Sequence, residues 1–69
     1  MQTVYVVLTD SVRRGTIVKM IGQNHYKYKD GIWIETGIMM DYFDDESPAF
    51  ELYREISEEE ANKLISQMK

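Results

Sequence analysis

The sequence predicts a small α+β domain: an antiparallel sheet of four to five strands, a short central helix and a C-terminal amphipathic helix. Three observations carry that expectation. Runs of β-branched and aromatic residues, separated by Gly, Asn and Asp, fill the first half of the chain. An Asp30-Gly31 pair sits between two alternating segments, and a serine followed by three glutamates opens an apolar stripe near the end. A curled sheet of SH3-like or half-barrel form is one arrangement this pattern allows.

The first strand is read over Thr3 to Leu8, with Val4, Val6 and Leu8 on one side and Tyr5 and Val7 on the other. Apolar residues on both sides place it inside the sheet. Thr9-Asp10-Ser11 and Arg13-Arg14-Gly15 are turn-rich, so the chain reverses between Thr9 and Gly15. A second strand runs from Thr16 to Ile21. After Gly22-Gln23-Asn24, the segment His25-Tyr26-Lys27-Tyr28-Lys29 alternates strictly up to Asp30-Gly31. Asp-Gly tolerates the two positive φ angles of a type I′ turn, so Lys29 is expected opposite Ile32, Tyr28 opposite Trp33 and Lys27 opposite Ile34.

A three-residue loop at Gly22-Gln23-Asn24 gives the cleaner binary pattern. It places Val18, Met20, Tyr26, Tyr28 and Trp33 on a charge-free side, and Ile17, Lys19, Ile21, Lys27, Lys29, Ile32 and Ile34 on the other. A two- or four-residue loop would set Lys19 among the aromatics.

Thr36 is read as the N-cap of a short helix whose Ile38, Met39, Tyr42 and Phe43 share one side. Asp44-Asp45-Glu46-Ser47-Pro48 ends it, because acids oppose the dipole at a helix C-terminus and the residue before proline avoids helical angles. An irregular strand is expected from Ala49 to Ile56. Ser57-Glu58-Glu59-Glu60 is a capping box, and Ala61, Leu64, Ile65 and Met68 follow at helical spacing.

Sixty-nine residues and 8.2 kDa make one domain, 1–69. With no cysteine there is no disulfide and no thiolate metal site, and the longest apolar run, Val4 to Leu8, is too short for a membrane span or a signal-peptide core. A cytoplasmic protein that touches no membrane is expected. The net charge of -4 is uneven. Residues 1–34 carry five basic and two acidic side chains, and residues 35–69 carry three basic and ten acidic. The expectation is that the two halves neutralise each other within the fold.

Candidate binding residues come from the basic half: Arg13 and Arg14 in the first turn, Lys19 on the second strand, and His25, Tyr26, Lys27, Tyr28, Lys29 and Trp33 on the hairpin. Aromatics beside cations suit single-stranded nucleic acid. Strict alternation, however, sends the tyrosines and lysines of the hairpin to opposite sides, and a pI near 4.8 is unusual for a nucleic-acid binder. The acids at Asp41, Asp44, Asp45 and Glu46 do not follow the calcium-loop spacing. A lone His25 lacks partners for zinc, and no nucleophile motif accompanies it, so no catalytic residue, metal or cofactor is assigned. The function expected is a non-catalytic module that binds a protein partner. A nucleic-acid-binding module and a self-associating structural protein, such as a homodimer, are the alternatives.

Overall fold

A computed structural model describes residues 2–68. Four strands form a meander: β1 (Thr3–Leu8), β2 (Ile17–Ile21), β3 (Asn24–Lys29) and β4 (Ile32–Glu35). Helix α1 (Met39–Phe43) then carries the chain back across one side of the sheet to β5 (Tyr53–Ile56), which joins the far side of β1. Helix α2 (Glu58–Ser66) closes the chain. All pairings are antiparallel, in the order β4-β3-β2-β1-β5, so β4 and β5 are the two edges.

Strand parity divides the core between the two sides of the sheet. Val6, Leu8 and Val18 pack against Met39 and Tyr42 of α1, with Val4, Met20, Ile38, Ala49 and Tyr53 around them. Val7, Ile17 and Ile56 pack against Ala61 of α2, with Tyr5, Tyr28, Trp33, Leu64 and Ile65 around them. Each side is a small cluster, and together they make the two-sided burial that the apolar pattern of β1 requires.

The Asp30-Gly31 hairpin has the expected register, Lys29 to Ile32, Tyr28 to Trp33 and Lys27 to Ile34. Both turn residues hold positive φ, 54° at Asp30 and 86° at Gly31. The loop before it does not follow the three-residue expectation. Ile21 pairs with Asn24, leaving Gly22 and Gln23 as a two-residue turn. Gly22 alone of the two has positive φ, 60°, the sign pattern of a type II′ turn with glycine in the first central position. The slip of one residue exchanges sides: Ile17, Lys19 and Ile21 lie with Tyr26, Tyr28 and Trp33 under α2, while Val18 and Met20 lie with His25, Lys27 and Lys29 on the α1 side.

Two further boundaries differ from the sequence reading. Thr36 is not the N-cap of α1: its Oγ1 accepts the amide of Ile38 at 3.3 Å, and Ile38 itself precedes the helix without a side-chain cap. Gly37 intervenes, and the hydroxyl is spent on a local turn. The segment from Ala49 to Leu52 is not strand. Amides of Phe50 and Leu52 donate to carbonyls three residues back, at 3.1 and 3.0 Å, and Glu51 holds φ at 62°, so turns continue until Tyr53. Helix α2 starts as read, with the Glu60 amide donating to Ser57 Oγ at 3.0 Å. The Glu60 carboxylate does not reach back to complete the box; it accepts from Arg54 Nη2 at 3.1 Å.

Candidate functional site

The loop from β1 to β2 positions Arg13. Asp10 Oδ2 accepts the Arg13 amide at 3.3 Å, and the Gly15 amide donates to the Leu8 carbonyl at 2.9 Å, with Gly15 at a φ of 89°. Asp10 is 9% exposed, and its other oxygen accepts the hydroxyl hydrogen of Tyr42, which is fully buried under α1. The Tyr42 hydroxyl holds the Asp10 carboxyl below its ordinary range, against the opposing effect of burial. Burial, followed by the hydrogen bond to Asp10, pushes the Tyr42 phenol up. The Arg13 guanidinium lies beside the same hydroxyl, which raises its own pKa further. Loop and helix are thus joined by one polar network across 32 residues of sequence.

Around this anchor the structure regroups the candidate residues. Arg13, Lys27 and Lys29 line a single cleft of about 270 Å³ on the α1 side, together with Thr16, Tyr28 and Ile38. On the other side of Arg13 a second cleft, of about 360 Å³, is walled by Val12, Pro48, Ala49 and Leu52. Lys19 is on the opposite side of the sheet. Its Nζ lies 4.4 Å from the ring centre of Trp33 and 5.6 Å from that of Tyr26, so the cation faces aromatic rings and not an acid. Trp33 also meets Tyr28 edge-on at 5.3 Å and Tyr5 at 6.3 Å. His25 stands apart from both groups, edge to face with Phe43 at 6.1 Å, and Arg14 is exposed in the turn.

The expected neutralisation of the basic half by the acidic half is not made through ion pairs. Among the described residues the one salt bridge is Arg54–Glu60. Helix α2 covers the side that carries Lys19, while Lys27 and Lys29 leave the sheet on the other side, and Lys29, next to the turn, also borders a cleft with Ile65 of α2. Among the described residues no group of three His, Asp or Glu side chains is placed to hold a metal, and no helix is long and apolar enough to cross a membrane.

Exposed apolar residues are distributed as unevenly as the charge. Met40 and Phe43 on α1, Phe50 and Leu52 in the turns after it, and Ile32 and Ile34 on the α1 side of β4 are all exposed, Met40 to 71% and Ile32 to 60%. The α2 side has Met68 alone among the described large apolar residues. Asp10, Thr16, Ile38 and Tyr42 belong to the site and were not singled out by sequence, because turn, strand and core roles explain each of them locally. No family model, curated protein or solved structure matches the chain.

Proposed function

We propose that this protein is a non-catalytic interaction module that docks a protein partner on its α1 side. The observation that carries the reading is the concentration of six exposed large apolar side chains on and beside α1 and β4, opposite a side that α2 already covers. Isolated exposed apolar residues are ordinary on a protein surface, but a shared side with a cationic cleft next to it is the composition of an interface: apolar contact for affinity and charge for steering. Strand β4 adds a second means of attachment. It is an edge strand with unpaired backbone groups, and neither proline nor lysine protects it.

The test is affinity capture from cell extract at low salt with the immobilised chain, repeated with a Met40→Glu, Ile32→Lys variant of unchanged circular dichroism. The reading expects a protein retained by the wild type and lost by the variant. Equal retention on both, or none on either, overturns it.

Self-association is the second reading, and the same edge favours it. Two-fold antiparallel pairing of β4 about Trp33 sets Ile32 of one copy opposite Ile34 of the other on the same side of a continuous sheet. Sedimentation velocity at low and high salt separates the two, since a monomer at both leaves the edge for a different protein. Nucleic acid has less support. The cations of the cleft, Arg13, Lys27 and Lys29, are on the opposite side of the sheet from Tyr26, Tyr28 and Trp33, so phosphate tracking and base stacking do not meet on one surface.

A further inference from the structure

Lys27 and Lys29 are two residues apart on β3, so their side chains leave the sheet on the same side roughly 7 Å apart along the strand. Continuing the Val18–Lys27 pairing by two residues sets Thr16 beside Lys29. The turn anchored by Asp10 then brings Arg13 over the same spot. Three cations from two separate stretches of chain therefore surround one cleft, and none of the side chains lining it is acidic. Among the described residues neither lysine is in an ion pair. Asp10 and Asp41 both act on Arg13 from behind and offset its charge, so the two positive charges without an acid beside them in the cleft are those of Lys27 and Lys29.

We propose that Arg13, Lys27, Lys29 and Thr16 form a binding site for a phosphomonoester dianion, carried by a small molecule or by a phosphorylated side chain of a protein. This goes beyond the docking surface proposed above and stands without it. A phosphomonoester carries about 1.5 to 2 negative charges near neutral pH, which matches the two unpaired lysines, whereas a carboxylate leaves one of them unbalanced. The planar guanidinium of Arg13 can take two phosphate oxygens at once, the ammonium groups of Lys27 and Lys29 approach as point charges, and the Thr16 hydroxyl supplies a further donor. At about 270 Å³ the cleft falls below the usual size of a site for a drug-sized ligand. It admits the phosphoryl group and the first atoms of what bears it. The rings of Tyr26, Tyr28 and Trp33 project from the other side of the sheet, and Tyr28 is the one aromatic residue that borders the cleft.

The experiment is a two-dimensional ¹⁵N–¹H NMR titration of the full chain with O-phosphoserine, with a short peptide containing phosphoserine, and with acetate. The proposal expects saturable shifts at Thr16, Lys27, Lys29 and Ile38 with both phosphomonoesters. It expects the affinity to fall about tenfold or more in a Lys27→Gln, Lys29→Gln variant, the loss of at least one charge-assisted hydrogen bond. Tighter binding of the peptide than of phosphoserine assigns the site to a modified protein, and equal binding assigns it to a small molecule. Absence of saturation with phosphoserine, the same shifts with acetate, or an unchanged affinity in the double lysine variant overturns the proposal. Both lysines lie outside the buried core clusters, and an unchanged urea midpoint confirms that the variant folds.

Discussion

Replacing Lys19 by methionine tests the register of the sheet through a single charge. In the two-residue turn, Lys19 stands directly opposite Tyr26, with its ammonium over two aromatic rings, 4.4 Å from the centre of Trp33 and 5.6 Å from that of Tyr26. Both distances are inside the range of about 6 Å at which the ring quadrupole attracts a cation. Lys19 is half-buried, so the attraction is worth about 0.5 to 1 kcal/mol in sum and not the larger figure of a dry site. Methionine keeps an apolar stem of similar length, which separates the charge from the packing. The quantity to measure is the coupling energy in a double-mutant cycle of Lys19→Met with Trp33→Leu, from urea unfolding followed by circular dichroism. A coupling of about 0.5 to 1 kcal/mol is expected, a difference of roughly 2 to 8 °C in midpoint temperature for a domain of this size. Had the loop held three residues, Lys19 would point away from Trp33. A coupling indistinguishable from zero would therefore refute the observed register.

Other consequences follow from single positions. The Asp10 carboxyl is held below its ordinary value of 3.8 by the Tyr42 hydroxyl, so the stability this bond contributes is present above that value and is lost as pH falls through the lowered folded value. Wild type should exceed Tyr42→Phe in urea midpoint at pH 7, with the gap closing toward pH 2; a gap that stays constant over that range contradicts the assignment. Gly31→Ala should cost about 1 to 2 kcal/mol by equilibrium unfolding, because an alanine Cβ opposes a φ of 86° even where no neighbour crowds it. Ser57→Ala should cost about 1 kcal/mol by removing the acceptor for the Glu60 amide, whereas Ser57→Asp should restore most of it.

The parts of the fold that local chemistry dictates were legible in the residues. Asp30-Gly31 admits one favoured turn, and that turn sets three cross-strand pairs without further information. Ser57 with Glu60 marks the start of α2 by a hydrogen bond three residues long. The loop at Gly22 was not legible in this way. Glycine is compatible with several loop lengths, and the binary pattern argued against placing a lysine beside tryptophan, although a cation and an aromatic ring attract. That one residue of register decided the site. Lys27 and Lys29 stayed together because the hairpin fixed them, but Lys19 left their company for the other side of the sheet, and Arg13 took its place from the loop. The contact from Asp10 to Tyr42 depends on tertiary folding alone, since no local pattern relates residues 32 apart.

The irregular stretch from Ala49 to Leu52 shows the same limit at an element boundary. Phe50 and Leu52 alternate as a strand would, yet the amides of 50 and 52 are consumed in turns and Glu51 takes a left-handed backbone. Those turns leave Phe50 and Leu52 exposed beside α1, and so contribute to the surface on which the functional reading rests.

That reading is tested most directly by comparing two variants that each place one lysine on an exposed apolar position, Ile34→Lys on the α1 side and Met68→Lys beyond α2. Each is immobilised and used to capture proteins from the same extract, with wild type alongside. The account predicts that Ile34→Lys loses the proteins that wild type retains and that Met68→Lys keeps them. Retention unchanged in Ile34→Lys, or lost in Met68→Lys, would place the interface elsewhere and contradict it.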